Sequence, residues 1–311
     1  MLEKDKSKAP IGSLLVVESL DRATDYYFGA FGAIETERYA APDGKVWYAV
    51  LHILGTPVQL MEPIPEMGMV ASRGADDEGD SLVHTVAVTD TNATFRRAVE
   101  AGARTVLEPH TAAWDEQHAE FRDPFGHRWA LGSRLLKHDQ AKLAVAPSLV
   151  VNDLDETVDW YRAVLGASAP VRFAGPRPER PFGVVRIKDA PLQFMAASKE
   201  HNLVAHGRQG RPGGDISSLA LTVNDVDKVF QTAMDRGATS IIEPQLAYWG
   251  DRYAEFRDLN GLRVAAGCGD ASLQSQVVDP ADAQAAFRNF LRENQYPSSP
   301  AAAVGVQNIN A

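Results

Sequence analysis

The side chains best suited to chemistry lie in two similar stretches of this 311-residue chain. His118 and Glu120 belong to the first stretch, and Arg252, Tyr253 and Glu255 belong to the second. Imidazole, phenol and carboxylate groups are common general acids and bases when their pKa values are shifted toward neutrality. We therefore take these five side chains as the catalytic candidates.

Composition excludes several classes of protein. Cys268 is the only cysteine, so an intrachain disulfide and a multi-cysteine metal site are excluded, and we interpret it as a small buried hydrophobe. The net charge of −10 argues against a nucleic-acid partner. There is no apolar run of about 18 residues, as a membrane helix would need, and the charged N-terminus does not resemble a signal peptide. We expect a cytoplasmic protein that has neither nucleic acid nor membrane as a partner.

The two stretches are copies of one sequence. Residues 119–131 and 254–266 align at an offset of 135, and each is predicted to form a β-hairpin around an Asp-x-x-Gly turn. Upstream tracts also align, residues 15–17 with 149–151 at an offset of 134. An internal repeat of this length predicts two structurally equivalent halves.

Each half shows a strand, a helix and further strands, twice over, which predicts a doubled βαβββ pattern. Residues 63–80 and 199–215 are polar and are predicted to be equivalent loops. The predicted organisation is a flexible leader at 1–10, a first domain at 11–134, a linker at 135–144, a second domain at 145–269, and an extension at 270–311 with a helix at about 280–294 and a disordered tail.

These motifs resemble the glyoxalase/bleomycin resistance/dioxygenase superfamily, also called vicinal oxygen chelate (VOC). The resemblance rests on residues 15–27, 31–33, 101–103 and 121–126, and in the second half on 153–155, 160–161, 165–167, 236–238 and 249–253. It implies an α+β fold with two tandem domains, each a pair of βαβββ modules forming a half-open barrel. In the family this cup typically holds a divalent metal on His, Glu or Gln side chains from up to four strands.

The resemblance places the family's metal ligands on residues that are poor ligands. The first-, fourth-, fifth- and eighth-strand positions fall on Gly12, Gln59, Val83 and Ala130, and on Ala146, Gln193, Ser218 and Ala265. One glutamine for each half does not meet the usual need for about three His or carboxylate ligands. We therefore expect no cofactor, with a divalent metal as the disfavoured alternative. His84, beside the fifth-strand position, is the one candidate metal ligand, although strand alternation directs it to the opposite face.

A cup without a metal is still a concave small-molecule pocket. Amides offer donors and acceptors, methionines adapt to irregular shapes, and aromatic walls suit ring-bearing ligands. If one cup retains a ligand, we expect it in the second half, because Arg252 and Tyr253 offer polar contacts. The predicted ligand-binding residues are Gln59, Met61, Trp114, His118, Gln193, Met195, Ser218, Trp249, Arg252 and Tyr253.

Two functions remain open from the sequence. The first is a metal-independent binder, of the sequestration or resistance type, for a small aromatic or polar metabolite. The alternative is an enzyme of specialised or catabolic metabolism (isomerase, lyase or oxygenase type), either metal-free or with an atypical metal site. We expect a monomer with an internal pseudo-dimer, or a homodimer. Arg122 and Arg257 are predicted to have structural roles, pairing with Asp123 and Asp258.

Overall fold

The computed structural model describes residues 10–40, 46–72, 79–112, 115–132, 144–173, 182–188, 190–247 and 251–268. The predicted C-terminal helix and tail, nearly all of the leader and most of the linker lie outside these residues. Trp114 and Trp249 also lie outside them.

Four βαβββ modules follow one another along the chain. Module 1 comprises β1 (Ile11–Val16), α1 (Leu20–Phe31), β2 (Ile34–Ala40), β3 (Val46–Ile53) and β4 (Thr56–Met61). Module 2 comprises β5 (Leu82–Ala87), α2 (Thr91–Glu100), β6 (Arg104–Thr111), β7 (Gln117–Arg122) and β8 (Arg128–Gly132). Module 3 comprises β9 (Val145–Val151), α3 (Leu154–Leu165), β10 (Val171–Phe173), β11 (Phe182–Ile187) and β12 (Ala190–Ala196). Module 4 comprises β13 (Ser217–Val223), α4 (Val226–Asp235), β14 (Thr239–Leu246), β15 (Arg252–Arg257) and β16 (Arg263–Cys268). The predicted α+β fold is confirmed.

Each helix begins at a side chain that caps its first turn. The N-cap residues are Ser19, Asp90, Asp153 and Asp225, and each accepts a hydrogen bond from the backbone N–H three residues further on. Such a cap satisfies a donor that the first turn leaves without a partner, which fixes where the helix starts.

The strands form two eight-stranded sheets, and each sheet takes one module from each half of the chain. The order in one sheet is β14-β15-β16-β13-β1-β4-β3-β2, and in the other it is β10-β11-β12-β9-β5-β8-β7-β6. At their centres, β1 runs antiparallel to β13, and β5 runs antiparallel to β9. We call the helix-free face of the first sheet (modules 1 and 4) the outer cup, and that of the second (modules 2 and 3) the inner cup. Residues of one half therefore divide between two cups.

The helices, in contrast, pack within their own half. Helix α1 contacts α2, and α3 contacts α4. One core cluster lies almost entirely in the first half and the other almost entirely in the second. Tyr27 and Tyr161 reach across these cores and donate hydrogen bonds to Asp123 (2.6 Å) and Asp258 (2.9 Å). The two halves are thus joined by their central strands while each keeps its own apolar core.

Two equivalent turns cross between the halves at the cups. Residues 64–69 and 198–203 each close on themselves through a β-bridge around a short 3-10 helix, Pro65–Met67 and Lys199–His201. Met69 then bridges Asp215 just before β13, and Leu203 bridges Asp80 just before β5. The regions predicted as loops therefore contain ordered structure that connects each half to the other.

Candidate functional site

Alternation along the strands decides which side chains enter the cups. Leu60 and Phe194 belong to the apolar cores, so their neighbours face the other way. Gln59 and Met61 thus line the outer cup, and the residues paired with them on β1 are Leu14 and Val16. Gln193 and Met195 line the inner cup, and their partners on β9 are Ser148 and Val150.

A chain of charged side chains runs along one wall of the inner cup. Glu120 lies 2.9 Å from His118 Nε2 through one carboxylate oxygen, and its other oxygen accepts hydrogen bonds from Arg128 at 2.8 and 2.5 Å. Arg128 also contacts Asp80 at 3.2 Å, and Arg122 donates two hydrogen bonds to the same carboxylate at 2.7 and 2.8 Å. Two arginines and two carboxylates thus balance one another.

The outer cup repeats this chain at an offset of 135. Glu255 accepts hydrogen bonds from Tyr253 and from Arg263, and Arg257 pairs with Asp215 at 2.8 and 2.9 Å. Tyr253 occupies the place of His118. The catalytic candidates Glu120 and Glu255 are therefore both held by an arginine, and the predicted pairing of Arg122 and Arg257 with Asp123 and Asp258 is wrong. Successive residues of a strand point to opposite faces, so these aspartates enter the cores instead.

The arginines also fix the crossing turns over the cups. Arg128 donates a 2.6 Å hydrogen bond to the carbonyl of His201, and Arg263 donates one of 2.6 Å to that of Met67. Burial by itself would raise the pKa of Glu120, but hydrogen bonding to His118 and the Arg128 charge lower that pKa to about 2. Glu120 is thus ionised at neutral pH and suited to orient His118, not to carry a proton itself.

A hydrogen-bonded chain of three polar side chains lies on the floor of the inner cup. Ser148 Oγ donates to Gln193 Oε1 at 2.9 Å, and Thr85 Oγ1 lies 2.7 Å from Ser148 Oγ. Since the Ser148 hydrogen is engaged by Gln193, the Thr85 hydroxyl is the donor to Ser148. In the outer cup Ala220 and Leu14 take the places of Thr85 and Ser148, so the chain does not form there.

The outer cup is filled by its own apolar side chains. The residues that form this cluster are Val16, Met61, Met67, Met69 and Ile242, and Leu14, Tyr48, Ile64, Ile241 and Tyr253 pack against it. Two of the methionines come from the crossing turn at 64–69. Ser218, a predicted ligand residue, is buried on the same face, opposite Leu14.

Arg252 does not enter either cup. Its guanidinium pairs with Asp227 of α4 at 2.9 and 2.5 Å, on the helix-bearing side of the sheet. Tyr253, the next residue, points to the cup. Arg252 and Tyr253 therefore lie on opposite faces of the sheet and do not share a cup, and ligand contact by either residue stays a prediction. Each cup is built from one module of each half. The question of which half holds a ligand therefore becomes the question of which cup, outer or inner, holds it.

His84 lies on the core side of β5. Its ring packs 5.0 Å from the Trp129 ring, and its Nδ1 is 3.0 Å from Ser13 Oγ. Complete burial, together with the nearby His127, lowers the pKa of His84 to about 3, so the ring is neutral. A ligand in either cup would be separated from this ring by the sheet.

The eight family ligand positions do not provide a donor set for a divalent ion. By register, Gly12, Gln59, Ser218 and Ala265 share the outer cup, and Ala146, Gln193, Val83 and Ala130 share the inner cup. The Gln193 amide oxygen, the atom that would bind a metal, already accepts a hydrogen bond from Ser148. Within the described residues, no three His, Cys, Asp or Glu side chains converge. These residues do not fit the family metal.

Several site residues escape prediction from the sequence. Asp80, Arg128 and Ser148 carry the networks of the inner cup, yet nothing in their local sequence indicates a site. A signal does exist for the charged pairs, because Asp80 and Asp215 repeat at the same offset of 135 as Arg128 and Arg263. The signal for Ser148 is a difference between copies, since leucine occupies the equivalent position 14.

Comparison with known proteins identifies the class. A model of the Glyoxalase/Bleomycin resistance protein/Dioxygenase superfamily matches residues 11–131 and 143–266. The chain belongs to this superfamily, as the sequence resemblance predicts. No helix in the described part of the chain is long and apolar enough to cross a membrane.

Sequence relatives match about half of the chain. The uncharacterized protein Mb0911c of Mycobacterium bovis is 35% identical over 135 residues, which make up 43% of this chain and 89% of that protein. The uncharacterized protein Rv0887c of Mycobacterium tuberculosis is also 35% identical over 135 residues, with 43% and 79% covered.

Solved structures match over nearly the full length. Glyoxalase I from Zea mays superposes with a TM-score of 0.62 at 20% identity, covering 91% of this chain and 95% of that one. A putative dioxygenase from Bacillus subtilis gives a TM-score of 0.54 at 14% identity, with 92% and 96% covered. At these identities the likeness shows the fold alone.

Proposed function

We propose that this protein binds a small aromatic or polar metabolite in a cup without using a metal ion, in the manner of a sequestration protein. The observation that carries the proposal is the donor set. The eight positions that hold a metal in this family provide two amides and a serine hydroxyl, with no imidazole or carboxylate. A concave sheet face with apolar side chains and a few fixed polar groups is the usual form of a small-molecule site.

Metal content of the full-length protein is the first test. Elemental analysis is done on protein as purified and after incubation with Fe(II), Mn(II), Zn(II) or Ni(II) followed by desalting. We expect less than about a tenth of an equivalent per chain, because an ion with one amide ligand dissociates readily. One tightly bound equivalent, lost in Gln193→Leu or Gln59→Leu, would overturn the metal-free proposal.

Ligand binding is tested separately by thermal shift with a library of metabolites. A ligand at 100 times its dissociation constant stabilises the folded state by about 2.7 kcal/mol. Recovery of the unchanged ligand after long incubation supports sequestration. Size-exclusion chromatography with light scattering tests the related proposal of a monomer, since the two halves already share both sheets.

A metal-free enzyme is the second candidate, and the His118–Glu120–Arg128 chain favours it. A carboxylate fixed by an arginine and hydrogen-bonded to an imidazole can orient that imidazole for proton transfer, as in an isomerase or lyase step. The test is conversion of a bound ligand, followed by mass spectrometry and by the pH dependence of its rate. His118→Gln is expected to abolish conversion and Tyr253→Phe to leave it unchanged; recovery of unchanged ligand from the wild type excludes this candidate.

A further inference from the structure

Three strongly exposed apolar side chains lie at one corner of module 1. Phe28 belongs to the last turn of α1, Ile34 begins β2, and Leu54 lies in the turn between β3 and β4. Their exposed fractions are 68%, 66% and 46%. Ile34 pairs with His52, which stands just before the turn that holds Leu54. We call these three residues the apolar corner.

The equivalent corner of module 3 is polar. At the offset of 134, the exposed residues at the three positions are Arg162, Ser168 and Lys188. The two turns share one backbone conformation, since Leu54 and Lys188 have φ values of 49° and 55°. The fold therefore does not require apolar side chains at this corner. A single exposed apolar residue is common, whereas several together mark a surface that contacts a partner.

Both ends of the described chain reach the end of the outer sheet that carries the apolar corner. The Pro10 carbonyl accepts a 3.0 Å hydrogen bond from the backbone N–H of Thr222, and Cys268 pairs with Val223. Continued by a few residues, the register of β1 and β4 brings Leu54 level with the residue before Pro10. Strands β16 and β4 are three positions apart in the sheet, so Cys268 and Leu54 lie on the order of 15 Å from each other.

The chain continues from Cys268 into residues 269–311, which lie outside the described residues. Their sequence predicts a helix at about 280–294, with one apolar face formed by Phe287, Phe290 and Leu291. A short amphipathic helix gains most of its stability by packing this face against another surface. Residues 269–279 can span up to about 36 Å when extended, which is more than the distance to the apolar corner.

We propose that residues 280–294 dock as a helix on the apolar corner, with the predicted apolar face of the segment against Phe28, Ile34 and Leu54. The corner is thus a docking surface within one chain. Attachment through Cys268 favours this segment over a second copy of the chain, because a short tether gives it an effective concentration of about a millimolar. Docking of this kind is independent of metal-free binding in the cups.

Hydrogen exchange of the full chain tests docking without any ligand. Backbone amides of a docked helix exchange slowly, and release of the helix speeds their exchange. We expect Ile34→Asp to raise the exchange rate across residues 280–294 at least about tenfold, because a charge then faces the apolar side of the segment. The matched control Ser168→Asp, at the equivalent position of module 3, should leave that rate unchanged. Ile34 is largely exposed, so the fold should survive the substitution, which circular dichroism checks.

Substitutions in the segment provide the reciprocal test. Phe290→Asp should raise the exchange rate by a similar factor, and Asn289→Asp, on the opposite face of the predicted helix, should not. The double variant Ile34→Asp/Phe290→Asp should exchange no faster than the faster single variant, because both changes remove the same contact.

Cross-linking identifies what occupies the corner. In a Cys268→Ser background, Ile34→Cys with Leu291→Cys should react with a short bismaleimide to give a cross-linked monomer, and Ser168→Cys with Leu291→Cys should not. Cross-linked dimers would mean that the corner binds a second copy of the chain and would overturn the proposal. Fast exchange across residues 280–294 in the wild type, or exchange that Ile34→Asp leaves unaltered, would overturn it as well.

Discussion

Replacement of Asp258 by asparagine should remove a pH dependence from the stability of the protein. Asp258 is completely buried and accepts hydrogen bonds from Tyr161 and from the backbone N–H groups of Asn260 and Leu262. Burial raises the pKa of its carboxyl from 3.8 to about 6. The folded state therefore holds a proton between pH 4 and 6 that the unfolded chain has released.

The sign and size of the pH effect on stability follow from the difference between the pKa of Asp258 in the folded and the unfolded state. The stabilising contribution of Asp258 is fully present below about pH 3.8 and is lost as the pH rises through 6. At 1.36 kcal/mol for each pH unit, the loss amounts to about 3 kcal/mol. In urea unfolding at several pH values between 4 and 7, we expect the free energy of unfolding of the Asp258→Asn variant to rise by about 2.4 kcal/mol relative to that of the wild type, the part of the loss that falls in this range.

Asp123 provides a control with the opposite sign. Burial would raise the pKa of Asp123, but His127 at 3.1 Å, with Tyr27 and Trp129, lowers that pKa to about 2. Its contribution is present above pH 3.8 and is lost as the pH falls through 2. Above about pH 5 the Asp123 carboxyl is ionised in both the folded and the unfolded state, so Asp123→Asn should not remove the pH dependence that Asp258 gives to the stability. Parallel pH profiles for the wild type and Asp258→Asn from pH 4 to 7 would refute the reasoning.

Three further changes test the packing of the cups and their surroundings. Asp80→Ala removes the carboxylate shared by Arg122 and Arg128 and should destabilise the protein by about 3–5 kcal/mol in urea unfolding; a loss below about 1 kcal/mol would contradict the network. Gly261→Ala should strongly lower the melting temperature, because its φ is +83° and a Cβ would lie 1.8 Å from the Gly207 carbonyl oxygen. The control Gly166→Ala also has a positive φ, +64°, but meets open space, so it should cost only about 1–2 kcal/mol, and similar losses for the two would refute the clash. Arg252→Ala should change the unfolding free energy by less than about 1 kcal/mol and leave ligand affinity unaltered, since Arg252 lies outside both cups; lost binding in dialysis would contradict that placement.

Edge strands were the elements hardest to predict from the sequence. Strand β6 is exposed along nearly all of its length, and β2, like β6, lies at the end of its sheet. Neither has the apolar run or the clean alternation that predicts a half-buried strand. Both are held by backbone pairing with a neighbouring strand, which depends on tertiary position more than on side-chain pattern.

The sequence predicts one part of the candidate site and not the other. Once the strands are located, strand alternation is enough to place four side chains on cup faces: Gln59, Met61, Gln193 and Met195. The partners of Arg122 and Arg257 do not follow, because Asp80 and Asp215 lie 42 residues earlier in the chain and reach the arginines only through the fold. Trp114 and Trp249 stay predictions, since both lie outside the described residues.

The sequence by itself determined the repeat, the four βαβββ modules and the superfamily, because hydrophobic periodicity and turn residues act locally along the chain. Through the resemblance it also predicted that the positions of the family's metal ligands carry two glutamines, a serine and apolar residues or glycine. Only the tertiary structure decided that modules 1 and 4 share one cup and modules 2 and 3 the other. Four similar modules can pair in more than one way, and the choice depends on central strands that meet across the two halves. The same pairing brings Met67 and Met69 into the outer cup and sets Ser148 beside Gln193 in the inner one.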